Sequence, residues 1–520
     1  MAVRGYRLAV DWSRQGTWAG MLEDVTSYVL DEPELTVTYG RDQSQADTDA
    51  GSGKLSFGLR NDGREFSPEN TSSPIAGRVV PGTPVQYQVT DPSTGSIRTL
   101  FEGVIDDLDV DPHAAARDFT GEALDAWGRP GGEQLSTPIY QGLRTGDAIN
   151  VVLDLIGWRG GRDIDPGATV IPFWWEEGSD AATAVKRLVA SEGPPALAYV
   201  EGGVFVFRDR HHRLTRAASL TSQATFSQVI PAGSAPADFK ILARSFAYKH
   251  GLKNIANSVT FEVGQRAPGD VAEVWSTDTP ISLASGETLP IEVSASDPFV
   301  RAIPPESGKD VEVAYGSVTV SLSRTSGAAV TLFVTAGGVA ALVTRLALRA
   351  TPLLVPPTVK VTEEDVSSVG TYGRQSWSGE VPWASVGDAR AIAQRIVATY
   401  ATARPVVEFE IANLSDAYLA QILGRRLSDR VTVRNDELGV NRDFVVERVT
   451  HTVQKLGVIH RLRLSCEVVD PVQSANALTF GVAGKGFNQG AFGVAGIDNA
   501  ASMFRFDTAG QGFNQGVFSS

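Results

Sequence analysis

A group of acids beside two tryptophans is the part of the sequence best suited to catalysis. Residues 174–177 read Trp-Trp-Glu-Glu, and Asp163 and Asp165 come shortly before them. Aromatic rings with two carboxyls about 5–10 Å apart are typical of a sugar-cleaving cleft. However, Glu176 and Glu177 also precede a predicted helix, and negative charge stabilises a helix N-terminus. A carbohydrate-active hydrolase that uses Glu176, Glu177 or Asp165 is therefore the alternative from another functional class, and a structural role for these acids is favoured.

The remaining reactive residue types do not form a catalytic or metal-binding motif. The six histidines lie outside the known zinc spacings. The adjacent His211 and His212 are interpreted as a charged exit from a hairpin, since neighbours on a strand face opposite sides. No serine has the glycine spacing of a nucleophile elbow, and no glycine-rich segment has the full phosphate-loop spacing. Cys466, the single cysteine, has apolar neighbours and is predicted to be a small core residue. The sequence therefore predicts no enzyme, no cofactor and no metal site.

Length and charge bound the possible functions. A chain of 520 residues, 42% hydrophobic and 20% charged, predicts three or four domains with ordinary cores and excludes wholesale disorder. The formal charge is −14, and residues 1–150 contribute −11 of it through 23 acidic and 12 basic residues. An acidic first domain repels a phosphate backbone, so tight DNA binding is disfavoured. Asp11 precedes any hydrophobic run of signal-peptide length, which predicts no secretory signal and assembly in the cytoplasm.

The elements that must position these residues are mainly strands in the first part of the chain. Residues 1–140 are predicted as a first β-barrel, because segments of alternating apolar and polar residues are separated by turn-forming clusters. These segments are 35–39, 53–59, 85–89 and 100–105. Residues 141–215 are predicted as a small α+β insert. Its predicted elements are helices at 147–156 and 179–193, capped by Ser179 and ended by Gly193, and a hairpin at 196–207.

The second half is predicted as a further barrel that carries an insert. Its parts are a connector with the start of this barrel (216–269), a β-sandwich-like insert (270–360), the rest of the barrel with helices at 388–400 and from Ser415 to 423 (361–475), and a Gly/Phe-rich repeat tail (476–520). The predicted fold class is thus mainly β and multidomain, with two β-barrel-like domains, an α+β insert and a sandwich-like insert.

One uncharged segment is long enough to cross a bilayer. It comprises residues 325–344, TSGAAVTLFVTAGGVAALVT. Its four threonines and the pair Gly337-Gly338 favour two strands joined by a tight turn. No stable membrane insertion is therefore predicted.

The C-terminal segment contains an imperfect repeat. Residues 480–520 hold seven of the 22 phenylalanines and nine glycines, and 480–492 recurs at 506–518 with nine of thirteen positions identical. Two copies are fewer than a solenoid needs to bury its own face. The repeats are therefore predicted to dock on another surface through aromatic anchors and closely approaching backbone, or else to form a flexible tail. The predicted interaction residues are Phe487, Asn488, Gln489, Phe492, Phe513, Asn514, Gln515 and Phe518.

The order of several short motifs resembles a known family. The motifs are 39–43 (YGRDQ), 51–74 (GSGKLSFGLRNDGREFSPENTSSP), 81–85 (PGTPV), 101–105 (FEGVI), 155–158 (LIGW), 162–165 (RDID), 173–175 (FWW), 191–193 (SEG), 207–210 (FRDR), 429–433 (DRVTV) and 443–449 (DFVVERV). In this order they resemble minor tail proteins from long-tailed phages of actinobacteria. The resemblance covers residues 1 to about 475, and it is weaker for 270–360 and for the repeats.

The resemblance implies a structural role in the virion. The family is similar to the trimeric central protein of contractile baseplates, in which two barrels per chain form a pseudo-sixfold ring. It implies a homotrimeric hub of a siphophage tail tip, assembled in the host cytoplasm, with a distal tail protein, a tape measure protein and tip or receptor-binding proteins as partners. The sixfold distal-tail adaptor is the neighbouring alternative. No catalytic residue carries over. DNA passes such a hub during genome ejection without sequence-specific binding, and the acidic first domain is expected to line that channel.

Overall fold

Strands arranged in several sheets make up most of the protein. The computed structural model describes residues 5–41, 50–111, 117–128, 134–230 and 238–469. In these ranges the buried hydrophobic residues form four separate clusters. The predicted fold class, mainly β and multidomain with α+β parts, is confirmed.

The first six strands form one half of the largest sheet. Their bounds are β1 (Tyr6–Val10), β2 (Leu35–Gly40), β3 (Lys54–Arg60), β4 (Pro84–Thr90), β5 (Ile97–Val110) and β6 (Asp118–Asp125). They pair antiparallel in the order β1-β4-β5-β6-β3-β2. Side chains of β2 alternate between buried and half-buried positions, as expected for a strand with one face on a core. The four segments predicted as strands in this part are confirmed.

A small α+β unit follows. Its elements are β7 (Leu135–Ser136), β8 (Tyr140–Arg144), α1 (Thr145–Leu155), β9 (Gly161–Ile164), β10 (Val170–Trp174), β11 (Glu177–Ser179), α2 (Ala181–Glu192), β12 (Leu197–Glu201) and β13 (Val204–Arg208). The predicted hairpin is β12–β13, and β9 joins it in parallel to β13. The two helices contact each other over a core that includes Trp174 and Phe205. Both predicted helices and the hairpin are confirmed.

Part of the predicted connector belongs to the largest sheet. The next elements are α3 (His212–Thr215), α4 (Ala217–Leu220), β14 (Thr225–Ser227), β15 (Asp238–Lys240), β16 (Ala247–Lys249) and β17 (Ser258–Val263). β14 pairs in parallel with both β15 and Arg430–Asn435, and Phe226 is fully buried. A strand of three residues shows too little alternation to be recognised from the sequence.

Two facing sheets form a sandwich. Their strands are β18 (Ala267–Pro268), β19 (Ala272–Thr277), β20 (Ile281–Leu283), β21 (Thr288–Ser294), β22 (Phe299–Ile303), β23 (Val311–Tyr315), β24 (Val318–Arg324), β25 (Ala329–Ala336) and β26 (Ala341–Leu354). The long strand β26 pairs with β18, β19, β20, β22 and β23, whereas β25 pairs with β21 and β24. Buried residues from both sheets share one hydrophobic cluster.

The uncharged segment 325–344 forms two strands of this sandwich, as predicted, but its turn does not close a hairpin. The turn at Gly337-Gly338 connects β25 in one sheet to β26 in the other. Alternation specifies that a segment is a strand, but it does not specify the partner strand. No helix in the described ranges is long and apolar enough to cross a membrane.

The last described part returns to the largest sheet. Its elements are β27 (Val359–Glu364), α5 (Val366–Tyr372), β28 (Ser376–Ser378), α6 (Val386–Tyr400), β29 (Val406–Ala412), α7 (Asp416–Gly424), β30 (Arg430–Asn435), β31 (Val440–Gln454) and β32 (Ile459–Val468). Short 3-10 turns occupy Thr26–Tyr28, Leu252–Asn254 and Lys455–Gly457. The helix predicted at 388–400 is α6, and its apolar face, with Ala389, Ile392, Ile396 and Tyr400, is buried and packs against β17 and β27. Cys466 is fully buried in β32, as predicted.

Two helix caps differ from the prediction. Asp180, not Ser179, caps α2, and its Oδ1 accepts a hydrogen bond from the Thr183 N–H at 2.9 Å. Ser179 is instead the last residue of β11. Ser415 precedes α7, but its side chain makes no capping hydrogen bond. Gly193 ends α2 with a φ of 71°, which glycine adopts without strain, so this predicted end is confirmed.

The two predicted barrels share one sheet and one core. β2 pairs antiparallel with β31, from Leu35 opposite Val453 to Gly40 opposite Arg448. This pairing makes a single sheet of thirteen strands in the described residues. Ten of them follow an open path from β1 to β15, and β32, β29 and β16 branch from it at β31. The main hydrophobic cluster contains residues from both halves of the chain. The two halves are therefore parts of one packed framework.

Candidate functional site: a buried junction and an aromatic cleft

Asp165 lies in a cluster of ion pairs. Its Oδ2 lies 2.7 Å from His212 Nδ1, and its Oδ1 lies 2.9 Å from Arg216 Nη2. Burial would raise the pKa of Asp165, but the hydrogen bonds from His212 and Arg216 outweigh it and lower the pKa to about 2. An anion held in this way ties α3 to the end of β9. The sequence did not reveal the pairing, because Asp165 and His212 are 47 residues apart.

Glu176 and Glu177 do not face one site. The Glu176 side chain is 1% exposed, and its Oε2 lies 3.5 Å from Arg187 Nη1. Burial raises the pKa of Glu176. Glu177 is exposed and pairs with Ser136 in the β7–β11 ladder. The structure therefore gives the two neighbouring acids separate surroundings, and Glu176 contacts the cation on α2.

Glu447 forms a buried triad with two arginines. Arg41 donates to it through Nε, 2.7 Å from Oε2, and through Nη2, 2.9 Å from Oε1. Arg213 Nη2 lies 2.6 Å from the same Oε1. Burial opposes ionisation of Glu447, but the charges of Arg213 and Arg41 lower its pKa. The three side chains are at most 6% exposed. The triad links the end of β2, the bulge in β31 and α3.

Gly40 permits the close approach of β2 and β31 beside this triad. Its φ is +106°, and a Cβ atom at this position would lie 2.3 Å from the Glu447 carbonyl oxygen. The next residue, Arg41, donates its N–H to the same carbonyl at 3.0 Å. Both residues belong to the motif 39–43, so the junction occupies one of the segments that carried the family resemblance.

A run of three polar rings links β1 to β31 and β32. Tyr6 Oη lies 3.0 Å from His460 Nδ1, and His460 Nε2 lies 3.0 Å from His451 Nδ1. Each contact holds one proton, so both contacts form when Tyr6 donates to His460, His460 donates to His451, and both imidazoles are neutral. The proton of neutral His451 is then on Nε2, which is buried and has no hydrogen-bond partner among the described residues. Burial lowers the pKa of His451 to about 3 and the pKa of His460 well below its ordinary value.

An aromatic cleft opens between the α+β unit and two loops of the second half. Its volume is about 190 Å³, and its walls include Phe173, Trp175 and Trp383. The Trp175 and Trp383 rings meet edge to face at 5.2 Å. The Arg266 guanidinium lies over the Trp175 ring, 5.4 Å from its centre. The sequence does not reveal the cleft, because Trp175 and Trp383 are 208 residues apart.

The hairpin β5–β6 carries an acidic strip. Asp106, Asp107 and Asp109 are exposed on β5, and Asp107 is directly opposite Glu122 of β6. Like charges directly opposite each other destabilise a sheet. Part of the excess negative charge of residues 1–150 is thus exposed on this pair of strands.

Several tail and secretion-system proteins of known structure are similar to this chain. No protein-family model matches the sequence, and no curated protein matches it. The 43 kDa tail protein of prophage MuSo2 from Shewanella oneidensis is 10% identical, with a TM-score of 0.45 over 89% of this chain and 97% of that one. A tail protein from Neisseria meningitidis MC58 is 11% identical, with a TM-score of 0.46 over 89% and 97%. A component of the E. coli type VI secretion system is 8% identical, with a TM-score of 0.38 over 89% and 77%.

The predicted interaction residues lie outside the described residues. They are Phe487, Asn488, Gln489, Phe492, Phe513, Asn514, Gln515 and Phe518, and the described chain ends at residue 469. Their docking role remains a prediction.

Proposed function

We propose that the chain is a structural tail protein, namely the central hub of a siphophage tail tip that joins the tail tube to distal tip or receptor-binding proteins. The observation that carries this proposal is the single sheet built from both halves of the chain. The buried Arg41–Glu447–Arg213 triad lies where the two halves meet. A hub must keep a fixed geometry between its neighbours in a ring. Two halves that share one core and one buried ionic junction cannot move independently.

The division into ring-forming parts and inserts belongs to the same proposal. We assign 1–140 and 361–475 to a homotrimeric ring, with 141–215 and 270–360 as inserts on its outside. The register supports an insertion that contains 270–360, because Lys249 of β16 is opposite Val406 of β29. The chain between these two residues, which includes 361–405, leaves and re-enters the largest sheet at adjacent positions. Distal tail, tape measure and tip proteins are the proposed partners in the virion, and the repeats of 476–520 are proposed to dock on a tip protein.

The acidic strip on β5–β6 is proposed to face the channel through which DNA passes. Exposed carboxylates repel phosphates, so DNA slides past without lasting contacts. A channel wall that is basic, or that is built by other domains, would defeat this assignment.

A cryo-EM reconstruction of the particle tip tests the hub role. We expect three copies of this chain in a ring between the tail tube and the tip. Six copies at the end of the tube would instead identify the distal-tail adaptor, and absence from the particle would refute both. Deletion of 476–520 should leave the ring but remove a tip protein, whereas an unchanged tip composition would contradict the docking role. Saccharide release that is lost in Glu176→Ala would favour the hydrolase.

A further inference from the structure

The aromatic cleft is built to hold an apolar ring. Phe173, Trp175 and Trp383 are all half-buried, so each keeps part of its ring surface towards solvent. The indole N–H of Trp383 is buried and has no hydrogen-bond partner among the described residues, and such donors normally find one. An occupant that combines an aromatic ring with amide or backbone carbonyl oxygens would satisfy both features.

The length of helix α6 gives the approximate distance between the cleft and the end of the described chain. Trp383 and the rest of its loop, 382–384, come immediately before the Ser385 cap of α6. At the other end of α6, Thr399 and Tyr400 line a small cavity together with Val468. A helix of fifteen residues is about 22 Å long. The C-terminal tail therefore starts about one helix length from the cleft.

The first repeat has the right distance from this starting point. Phe487 follows Val469 by eighteen residues, and the root-mean-square span of a random coil of this length is about 23 Å. The effective concentration of a tethered group is greatest when the linker span matches the separation, and it then reaches the millimolar range. Phe513 lies 44 residues from Val469, which corresponds to about 36 Å. The tether therefore favours the first repeat over the second.

We propose that the first repeat docks in the aromatic cleft of its own chain, with the Phe487 ring against Trp175 and Trp383. The neighbours Asn488 and Gln489 supply acceptor oxygens, while Gly486 and Gly490 let the backbone approach the tryptophans. This proposal concerns the isolated chain and does not rest on the hub role. It assigns the docking on a tip protein to the second repeat, around Phe513, alone.

Hydrogen exchange of the full-length chain tests the docking. We expect Phe487→Ala to speed amide exchange in the cleft loops 264–266 and 382–384 by about threefold, since millimolar effective concentration gives modest protection. The matched variant Phe513→Ala should leave both loops unchanged. Equal exchange in the wild type and both variants would overturn the proposal, and so would an equal effect of the two substitutions.

Photo-crosslinking identifies the occupant directly and does not depend on a destabilising change. A benzophenone amino acid at position 487 should form a crosslink within one chain to 172–175 or 382–384. A crosslink between two chains would show that a second copy fills the cleft, and a crosslink elsewhere would show that the repeat docks on another surface. Either result overturns docking in the same chain. Neither result bears on the hub role, which the particle reconstruction tests separately.

Discussion

The buried histidine pair predicts that acid loosens the sheet around β31 and β32. Below about pH 6.5 an unfolded histidine takes up a proton. In the native protein His451 stays neutral down to about pH 3, and the pKa of His460 is also well below its ordinary value. Because the opened state binds more protons than the native state, stability falls as the pH decreases through this interval.

The expected loss follows from the proton linkage. Consider one histidine that is neutral in the native state and has its ordinary pKa in the opened state. A change from about pH 7.5 to pH 5 then lowers the opening free energy by about 2 kcal/mol. The pair therefore costs about 4 kcal/mol if opening exposes both rings. The geometry gives the same sign, because a proton on His451 Nδ1 would face the proton that His460 Nε2 already donates.

A global unfolding measurement would mix this loss with an opposite effect. Burial raises the pKa of Asp125 to about 7, although its carboxylate accepts hydrogen bonds from the N–H groups of Gly53 and Trp127. Asp125 therefore takes up a proton more readily in the native protein than in the unfolded chain, and this difference favours folding as the pH falls. Asp125 lies in β6 and keeps its native surroundings when only β31 and β32 open. Amide exchange in β31 and β32 therefore measures the effect of the two histidines without that of Asp125.

Hydrogen exchange of the segment 444–468, corrected for the intrinsic rate, measures the opening free energy at the two pH values. We expect it to fall by about 4 kcal/mol in the wild type and by much less in the double variant His451→Gln/His460→Gln, which does not titrate. The surface variant His250→Gln should behave as the wild type, since His250 is exposed. An opening free energy that is the same at both pH values in the wild type would refute the reasoning.

Three further substitutions test the framework. Arg41→Ala should lower the free energy of unfolding by about 3–5 kcal/mol, because it removes one partner of the buried Glu447 carboxylate. Thermal unfolding measures this loss, and Arg159→Ala is the control because Arg159 is exposed. Gly40→Ala should destabilise by more than about 1 kcal/mol, since it adds a Cβ atom against a carbonyl at positive φ, whereas Gly338→Ala, which has open space, should not. Asp107→Asn should stabilise by about 0.2–1 kcal/mol by relieving the like charge opposite it, and the gain should shrink at high salt. An opposite sign for any of these changes contradicts the corresponding contact.

The sequence predicts local elements well because their signals are local. The alternation of β2 and the apolar stripe of α6 each depend on a few adjacent residues and on the burial of one face. The errors arise where two local preferences compete. Serine is a residue type that favours the cap position, but Ser179 is the last residue of β11, and the next residue, Asp180, caps α2.

Contacts between distant residues were not predictable in the same way. Arg41 and Glu447 are 406 residues apart, and neither forms a motif with its neighbours that would identify its partner. The turn at Gly337-Gly338 shows the same limit within one unit, since the strands on either side were recognised but their partners were not. Pairing depends on which faces must be buried together, and a single sequence contains that information only indirectly.

The register shows how the units can be nested without disturbing the framework. The excursion from Lys249 to Val406 starts and ends at paired positions of the largest sheet. Within it, Ala267 is opposite Leu354, so the sandwich also starts and ends at paired positions. A unit attached through two adjacent strands adds little loop-closure entropy to the part that carries it. The framework therefore depends on the long-range pairing of β2 with β31 and on its buried triad, and the main core contains no residue of the excursion from Lys249 to Val406.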